Sequence, residues 1–176
     1  MIKYETGDVI CYKSTAKWYN FFMSKTDFVS FLIKIGTFSK YTHVGIVLDV
    51  DNDKVIIGQA LQDFDISNEY HYMNTLQSQD MILVKRYPKL TSSDKAELIY
   101  EAYKIEGVGY DWKGIFSLAF HIISGKTLFK DNANKFFCSE AVDYLFNKIG
   151  VKLFSKPSCK ILPCDFAESK KLIIIE

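Results

Sequence analysis

The chain of 176 residues has little of what usually marks a nucleic-acid-binding or metal-binding protein. Its formal net charge is only +1, so no extended basic surface is expected and nucleic acid is not predicted as a partner. Its four cysteines include no C-x-x-C pair, and the close pair Cys159 and Cys164 has no histidine nearby in the sequence. Neither a metal site nor another cofactor is therefore predicted, and the thiols are expected to be free, as in a reducing compartment.

Long hydrophobic runs are also absent from the sequence. The two longest apolar stretches, residues 28–35 and 115–123, contain polar side chains and are too short to span a bilayer. The opening residues, MIKYETGDVICYK, lack the apolar core of a secretory signal. We therefore expect a cytoplasmic protein, or one exported without such a signal. The sequence indicates no oligomeric state.

What is present is enough apolar material for one compact domain over residues 1–176, since 48% of the chain is hydrophobic. Apolar runs bounded by turn residues predict strands at 8–12, 42–50, 54–61, 81–87 and 171–175. Helical spacing predicts one or two helices within 15–35 and further helices at 91–106 and 136–149, while the polar range 62–79 is predicted as a loop. The pattern predicts an α+β fold in which an antiparallel sheet packs against helices.

Cys138 is the candidate nucleophile. Asn134 precedes it as a candidate N-cap, which would place the thiol in the first turns of a helix. There the partial positive charge of the helix terminus favours a thiolate. Cys138 also lies on the apolar stripe of that helix, so a buried structural cysteine is the alternative.

The second and third predicted strands are joined by Asp and Asn residues, which suit a tight turn. If residues 51–53 form a three-residue loop, Val50 faces Lys54 and Gly45 faces Gln59. The predicted hairpin therefore determines which side chains share a face of the sheet.

His43, in the segment YTHVGIVLD, is the candidate base. On the predicted hairpin it is a diagonal neighbour of Gln59. The amide oxygen of Gln59 can accept from one imidazole nitrogen and leave the other to take a proton from a thiol. A core histidine bonded to backbone is the alternative. His71, in a polar segment, and His121, in an apolar one, are expected to have solvated and packing roles.

The segment GVGYDWKG, residues 107–114, contains three glycines around Tyr110. Glycines can let the backbone approach a ligand, with Tyr110 as a hydroxyl donor, or they can form a turn that caps the core. The residues alone favour neither interpretation. Glu140 and Asp143, three residues apart on a predicted helix, are expected on a solvated face.

Taken together, YTHVGIVLD followed by VIIGQA, then EGVGYDW and FFCSEAVDYLF, resemble the NlpC-type papain-like cysteine peptidases, in their circularly permuted YiiX/YaeF-like branch. In the ordinary branch the cysteine helix precedes the histidine strand, whereas here the histidine strand comes first. The resemblance spans most of the chain. It implies a papain-like antiparallel sheet or small barrel packed against helices, with the nucleophile at a helix N-terminus.

The resemblance also implies a role for four residues. The sequence departs from the ordinary branch on both sides of the Cys138-Ser139 pair, at Phe137, where that branch has aspartate, and at Glu140, where it has glycine. The implied catalytic residues are Cys138 as nucleophile, His43 as general base, Gln59 as the residue that orients the histidine, and Tyr110 as a contributor to the oxyanion site.

The sequence therefore predicts a cysteine hydrolase that cleaves an amide bond, in a cell-wall peptide or another N-acyl or isopeptide substrate, through a thioester acyl-enzyme. One alternative is an amidase, esterase or acyltransferase acting on a lipid, with residues 115–123 or 28–35 as a substrate wall or a surface for transient membrane contact. Another is a non-catalytic binding protein in which Cys138 is merely buried. The sequence does not distinguish hydrolysis from acyl transfer.

Overall fold

The computed structural model describes residues 2–13, 39–51, 54–61, 63–68, 82–111, 113–114, 117, 121 and 135–175. The strands in this part are β1 (Val9–Lys13), β2 (Tyr41–Asp51), β3 (Lys54–Ala60), β4 (Phe64–Asn68), β5 (Ile82–Arg86) and β6 (Ile173–Ile175). The helices are α1 (Ser92–Lys104), α2 (Cys138–Lys148) and α3 (Pro163–Glu168), with a 3₁₀ turn at Ser158–Lys160. The helices predicted within 15–35 lie outside the described residues.

The six strands form one sheet in the order β4-β3-β2-β1-β5-β6, and every neighbouring pair is antiparallel. With its helices, this sheet confirms the predicted α+β class. In the described part of the chain β4 and β6 form two edges, so the sheet there is open rather than a closed barrel. None of the helices in those ranges is long and apolar enough to cross a bilayer.

The sheet buries side chains on both of its faces, since side chains alternate along each strand. One face packs against α2 through a large apolar cluster that includes Val9, Cys11, Val44, Ile46, Ala141 and Leu145. The opposite face buries a smaller cluster that includes Tyr4, Ile10, Val47, Ile57 and Val84. Strands β1 and β2 contribute to both clusters and so lie at the centre of the fold.

The prediction of a loop over 62–79 is wrong for residues Phe64–Asn68, which form β4. This strand pairs with β3, where Ala60 lies opposite Phe64. The ring of Phe64 is buried over Gly58, where an added Cβ would lie 2.7 Å from it. The segment FDISN alternates apolar and polar residues, which is the pattern that predicts a strand. The remainder of the range after Asn68 lies outside the described residues.

The tip of the β2–β3 hairpin differs from the prediction. Asp51 pairs with Lys54 and Val50 pairs with Val55, so the three-residue loop with Val50 opposite Lys54 is wrong. A two-residue connection is favoured physically because its backbone twist matches that of the flanking strands.

Further along, the same hairpin returns to the predicted register. The pairing shifts between Val47 and Asp49, which leaves Leu48 as an extra residue on β2. This β-bulge compensates for the shorter loop. Gly45 consequently lies opposite Gln59, as predicted.

Helix α1 begins as the sequence predicts. Thr91 is its N-cap, and the Thr91 hydroxyl accepts a hydrogen bond from Asp94 N at 3.1 Å while the Asp94 carboxylate accepts from Thr91 N at 2.8 Å. This reciprocal capping box satisfies two backbone donors that the helix itself leaves unpaired. The chain leaves the helix after Lys104 and passes through Gly107, which has a φ of 77°.

Asp8 anchors the start of β1 to β5 and is fully buried. Its carboxylate accepts from Arg86 Nε at 2.6 Å and from Arg86 Nη2 at 2.8 Å. It also accepts from Glu5 N at 2.8 Å. The bidentate pair fixes the beginning of β1, whose other end lies beside the candidate site.

Candidate active site

The predicted pair of His43 and Gln59 is in direct contact. Nε2 of His43 lies 3.0 Å from Oε1 of Gln59. The register explains the contact, because Gly45 lies opposite Gln59 and His43 precedes Gly45 by two residues on the same strand. Since an amide oxygen can only accept, Nε2 carries the proton and Nδ1 keeps its lone pair.

Gly45 provides the space through which Gln59 reaches His43. An added Cβ at residue 45 would lie 3.0 Å from Ile57 Cγ2 and 3.4 Å from Gln59 Cβ. Side chains of β3 therefore occupy the space that a side chain at residue 45 would need. A glycine in this strand serves the close approach of its neighbour.

His43 is held in its neutral form. Burial lowers the pKa of His43 to about 4, and the hydrogen bond with Gln59 offsets this only in part. Tyr12 is the partner of His43 on β1, and the centroid of its ring is 5.2 Å from the imidazole centroid. A neutral imidazole is the form that can accept a proton.

Cys138 lies at the helix start predicted for it, although the cap differs. It is the first residue of α2, and Phe137 is the N-cap without a side-chain hydrogen bond, so the prediction of Asn134 as N-cap is wrong. The sulfur accepts a hydrogen bond from the N–H of Val44, the residue after His43 on β2. The fold therefore brings the thiol to the strand that carries the histidine.

The thiol of Cys138 is not activated by this position. Burial raises the pKa of Cys138 to about 11, although hydrogen bonds from the amides of Val44 and Ser139 lower it. The residue is only 2% exposed. The prediction that the helix terminus favours a thiolate is therefore wrong for this structure, because desolvation outweighs the helix terminus. At neutral pH both Cys138 and His43 are uncharged.

Tyr110 lies beside the start of α2. It forms a parallel bridge with Phe136, and Asp111 N donates to Phe136 O at 3.1 Å. Burial raises the pKa of Tyr110 well above its ordinary value, and the neighbouring Cys138 and Asp111 add to this effect. The phenol therefore keeps its proton and can donate a hydrogen bond.

Two glycines of the segment 107–114 have structural explanations. Gly107 adopts a positive φ of 77° just after α1, which is a conformation that favours glycine. Gly114 N donates to Asp111 Oδ1 at 3.0 Å, and an added Cβ at residue 114 would lie 2.3 Å from Asp111 Oδ2. The positive φ of Gly107 and the close contact of Gly114 with Asp111 account for both glycines, so their presence does not point to a ligand.

The prediction of a solvated face for Glu140 and Asp143 is wrong. They are 6% and 3% exposed. Asp143 accepts from Asn147 Nδ2 at 2.7 Å and from Ser158 Oγ at 2.6 Å, so the 3₁₀ turn covers this side of α2. Glu140 lies close enough to Tyr110 to raise its pKa. Sequence reasoning missed Glu140 as a neighbour of the site, because its spacing on the helix does not reveal what packs against it.

Several predicted features lie outside the described residues. These are His71, the apolar range 28–35 and all of 115–123 except Ser117 and His121. Ser117 is buried, as is Nδ1 of His121. Membrane contact through 115–123 therefore stays a prediction.

No protein-family model and no curated protein matches the chain. Among solved structures, it is similar to the crystal structure of the metalloprotein yiiX, DUF1105, from Escherichia coli O157:H7, with a TM-score of 0.67 at 17% identity. The match covers 98% of this chain and 96% of that chain. This protein therefore has a YiiX-like fold.

A metal ion does not fit the described residues of this chain. No group of three or more His, Cys, Asp or Glu side chains lies together within those ranges. Zinc sites need several deprotonated ligands converging on one point.

Proposed function

We propose that the protein is a cysteine hydrolase that cleaves an amide bond through a thioester acyl-enzyme, with Cys138 as the nucleophile. The proposal rests on the bonded pair of His43 and Gln59, next to the Val44 amide that binds the Cys138 sulfur. A nucleophile, a base and a group that orients the base are the minimum set for this chemistry. The YiiX-like fold and the order of the sequence segments support a circularly permuted papain-like arrangement.

In the proposed reaction, Nδ1 of His43 takes the proton from the Cys138 thiol as the sulfur attacks the acyl carbon. Gln59 stays bonded to Nε2 and keeps the imidazole in one tautomer. Tyr110 and the amide of Cys138 donate to the oxyanion. The imidazolium then protonates the leaving amine, and water hydrolyses the thioester.

The pKa values determine when the proton moves. Because the thiol of Cys138 has a pKa of about 11 and His43 one of about 4, the proton stays on sulfur until the substrate is attacked. Gln59 is neutral and stabilises the imidazolium less than a carboxylate would. Since Cys138 is 2% exposed, substrate binding has to displace residues that cover the sulfur.

The test compares Cys138 with Cys164 in the same chain. Both lie in the first turn of a helix and are buried, and burial raises the pKa of each thiol to about 11. Alkylation by iodoacetamide is followed for each cysteine-containing peptide by mass spectrometry. We expect Cys138 to react about a hundredfold faster than Cys164, and His43→Ala to remove most of that advantage, since general-base assistance has this size.

Equal rates for the two thiols, or a Cys138 rate that does not change in His43→Ala, overturn the proposal. An acyl-electrophile probe gives a second readout, which should label wild type and leave Cys138→Ser unlabelled. Comparing muropeptides with N-acyl lipids as substrates of the wild type then separates peptide hydrolysis from lipid-directed amidase, esterase or acyltransferase activity.

A second candidate is a non-catalytic binding protein on the same fold, and the burial of Cys138 favours it. In that case the thiol belongs to the apolar cluster between α2 and the sheet. Cys138 would then react as slowly as Cys164, and Cys138→Ala would leave ligand binding intact. The same alkylation experiment therefore decides between the two candidates.

A further inference from the structure

Tyr12 lies directly across the sheet from His43. The pairing of β1 with β2 places the two residues opposite each other, and their ring centroids are 5.2 Å apart with an interplanar angle of 41°. Gln59 contacts the same imidazole from β3, on the other side of β2. The imidazole is thus held between a ring on one neighbouring strand and an amide on the other.

Strand β2 contains a bulge beside the pair of Tyr12 and His43. The register shifts between Tyr12 and Lys13, because Thr42 is an extra residue on β2. Bulges bend a strand and change the direction of the side chains beside them, and they occur often next to functional sites. With the bulge at Leu48, β2 has an irregularity on each side of its central stretch, and His43 is at one end of that stretch.

We propose that Tyr12 is a positioning residue of this site, whose ring covers one face of the His43 imidazole, excludes water from it and, together with Gln59, fixes its orientation. The inference rests on the proposed role of His43 as the base. The hydrogen bond restrains only one nitrogen of the ring, so rotation about the Cβ–Cγ bond is limited mainly by the groups that pack against the ring. A ring packed against the imidazole limits that rotation.

The groups that face His43 from each packed element are mostly uncharged. Tyr12 faces it from β1 and Gln59 from β3. The Cys138 thiol of α2 is bonded to the amide of Val44, the residue that follows His43 on β2. The carboxylate of Asp65 lies one strand further, on β4 opposite Gln59. Access of water is therefore the main control on the protonation of His43, and Tyr12 lies where it can restrict that access.

The test titrates the imidazole of His43 by NMR in wild type, Tyr12→Phe and Tyr12→Thr. Phenylalanine keeps the ring, whereas threonine removes it and still suits a strand. We expect Tyr12→Thr to raise the pKa of His43 by about one unit or more toward its ordinary value, because water then reaches the imidazole. Tyr12→Phe should titrate like wild type. Tyr103→Thr serves as the control, since Tyr103 is 55% exposed on α1.

The pH profile of Cys138 alkylation gives the functional readout. The pH below which alkylation slows should rise together with the pKa of His43 in Tyr12→Thr. In Tyr12→Phe it should equal the wild-type value. A His43 pKa that is equal in Tyr12→Thr and wild type overturns the inference. If the pKa rises but the pH below which alkylation slows does not change, Tyr12 controls the imidazole and His43 is not the base, so the two failures are distinguishable. Tyr12→Val is measured in parallel, so that poor folding of one variant does not decide the result.

Discussion

Cys138 and Cys164 are two buried thiols in similar local positions. Cys138 is the first residue of α2, and Cys164 is the second residue of α3. They are 2% and 9% exposed, and burial raises the pKa of each to about 11. Position at a helix start and burial are therefore shared, so neither property can make one thiol a nucleophile and leave the other inert.

The two thiols differ in their neighbours. Cys138 meets the amide of Val44, the residue after His43, whose neutral imidazole is bonded through Nε2 to Gln59. Charged side chains surround Cys164, where the carboxylates raise the pKa further and the ammonium lowers it: Asp165, Glu168 and Lys156. The helix terminus is common to both thiols, so the proposed base His43, which precedes Val44 on β2, is the feature that would separate a nucleophile from a structural thiol.

The largest expected effect is on the free energy of unfolding and concerns His43, the proposed base. The folded pKa of His43, about 4, is below its ordinary value of 6.5, so between these pH values the unfolded chain binds a proton that the folded chain does not. The free energy of unfolding should therefore fall on acidification through this window, by on the order of 3 kcal/mol in total.

Urea unfolding of wild type and His43→Gln over that window measures the effect. The variant should lack this part of the pH dependence, while the part due to all other groups remains. Parallel curves for the two proteins would show that the imidazole is not buried in its neutral form.

A smaller effect is expected from the residue that orients the base. Gln59→Leu removes the acceptor for Nε2, which lowers the pKa of His43 further and loosens the ring. We expect alkylation of Cys138 to slow about tenfold, which corresponds to the loss of one hydrogen bond. Cys164 should be unaffected. Gln59→Glu is the matched control, because a carboxylate keeps the acceptor and raises the pKa of His43. Equal slowing at both thiols would instead indicate general loss of structure.

The smallest expected effect is at the other thiol. Asp165 raises the pKa of Cys164, so Asp165→Asn should lower that pKa and increase the thiolate fraction. Alkylation of Cys164 should become about threefold faster, a change of less than one pKa unit. Cys138 should keep its rate. A Cys164 that reaches the rate of Cys138 in this variant would show that charge alone, without a base, accounts for the difference.

The contact between His43 and Gln59 could be predicted from the sequence because side chains alternate along strands. The prediction used a three-residue loop, which is wrong, and the contact holds because the bulge at Leu48 shifts the register back. The position of a bulge depends on how β2 pairs with both of its neighbours, and no local sequence pattern predicts this pairing. The helix start at Cys138 could be predicted to within a turn from the apolar stripe that follows it.

Burial could not be predicted with the same success. Glu140 and Asp143 have the spacing of a solvated face, but the Tyr110 segment and the 3₁₀ turn come from distant parts of the chain and cover them. Burial in the apolar cluster between α2 and the sheet desolvates Cys138, which is why its thiol is not ionised. Ionisation depends on what surrounds a group in space, whereas the sequence shows only its neighbours along one element.

The bulge at Leu48 also separates the hairpin into two parts with different registers. On one side of it the pairing is set by the connection between Asp51 and Lys54, and on the other side by Gly45 opposite Gln59. A residue gained or lost at the tip can therefore be absorbed before it reaches His43. Insertions at the tip and substitutions in the central stretch of β2 should thus be tolerated very differently, although only a few residues separate them.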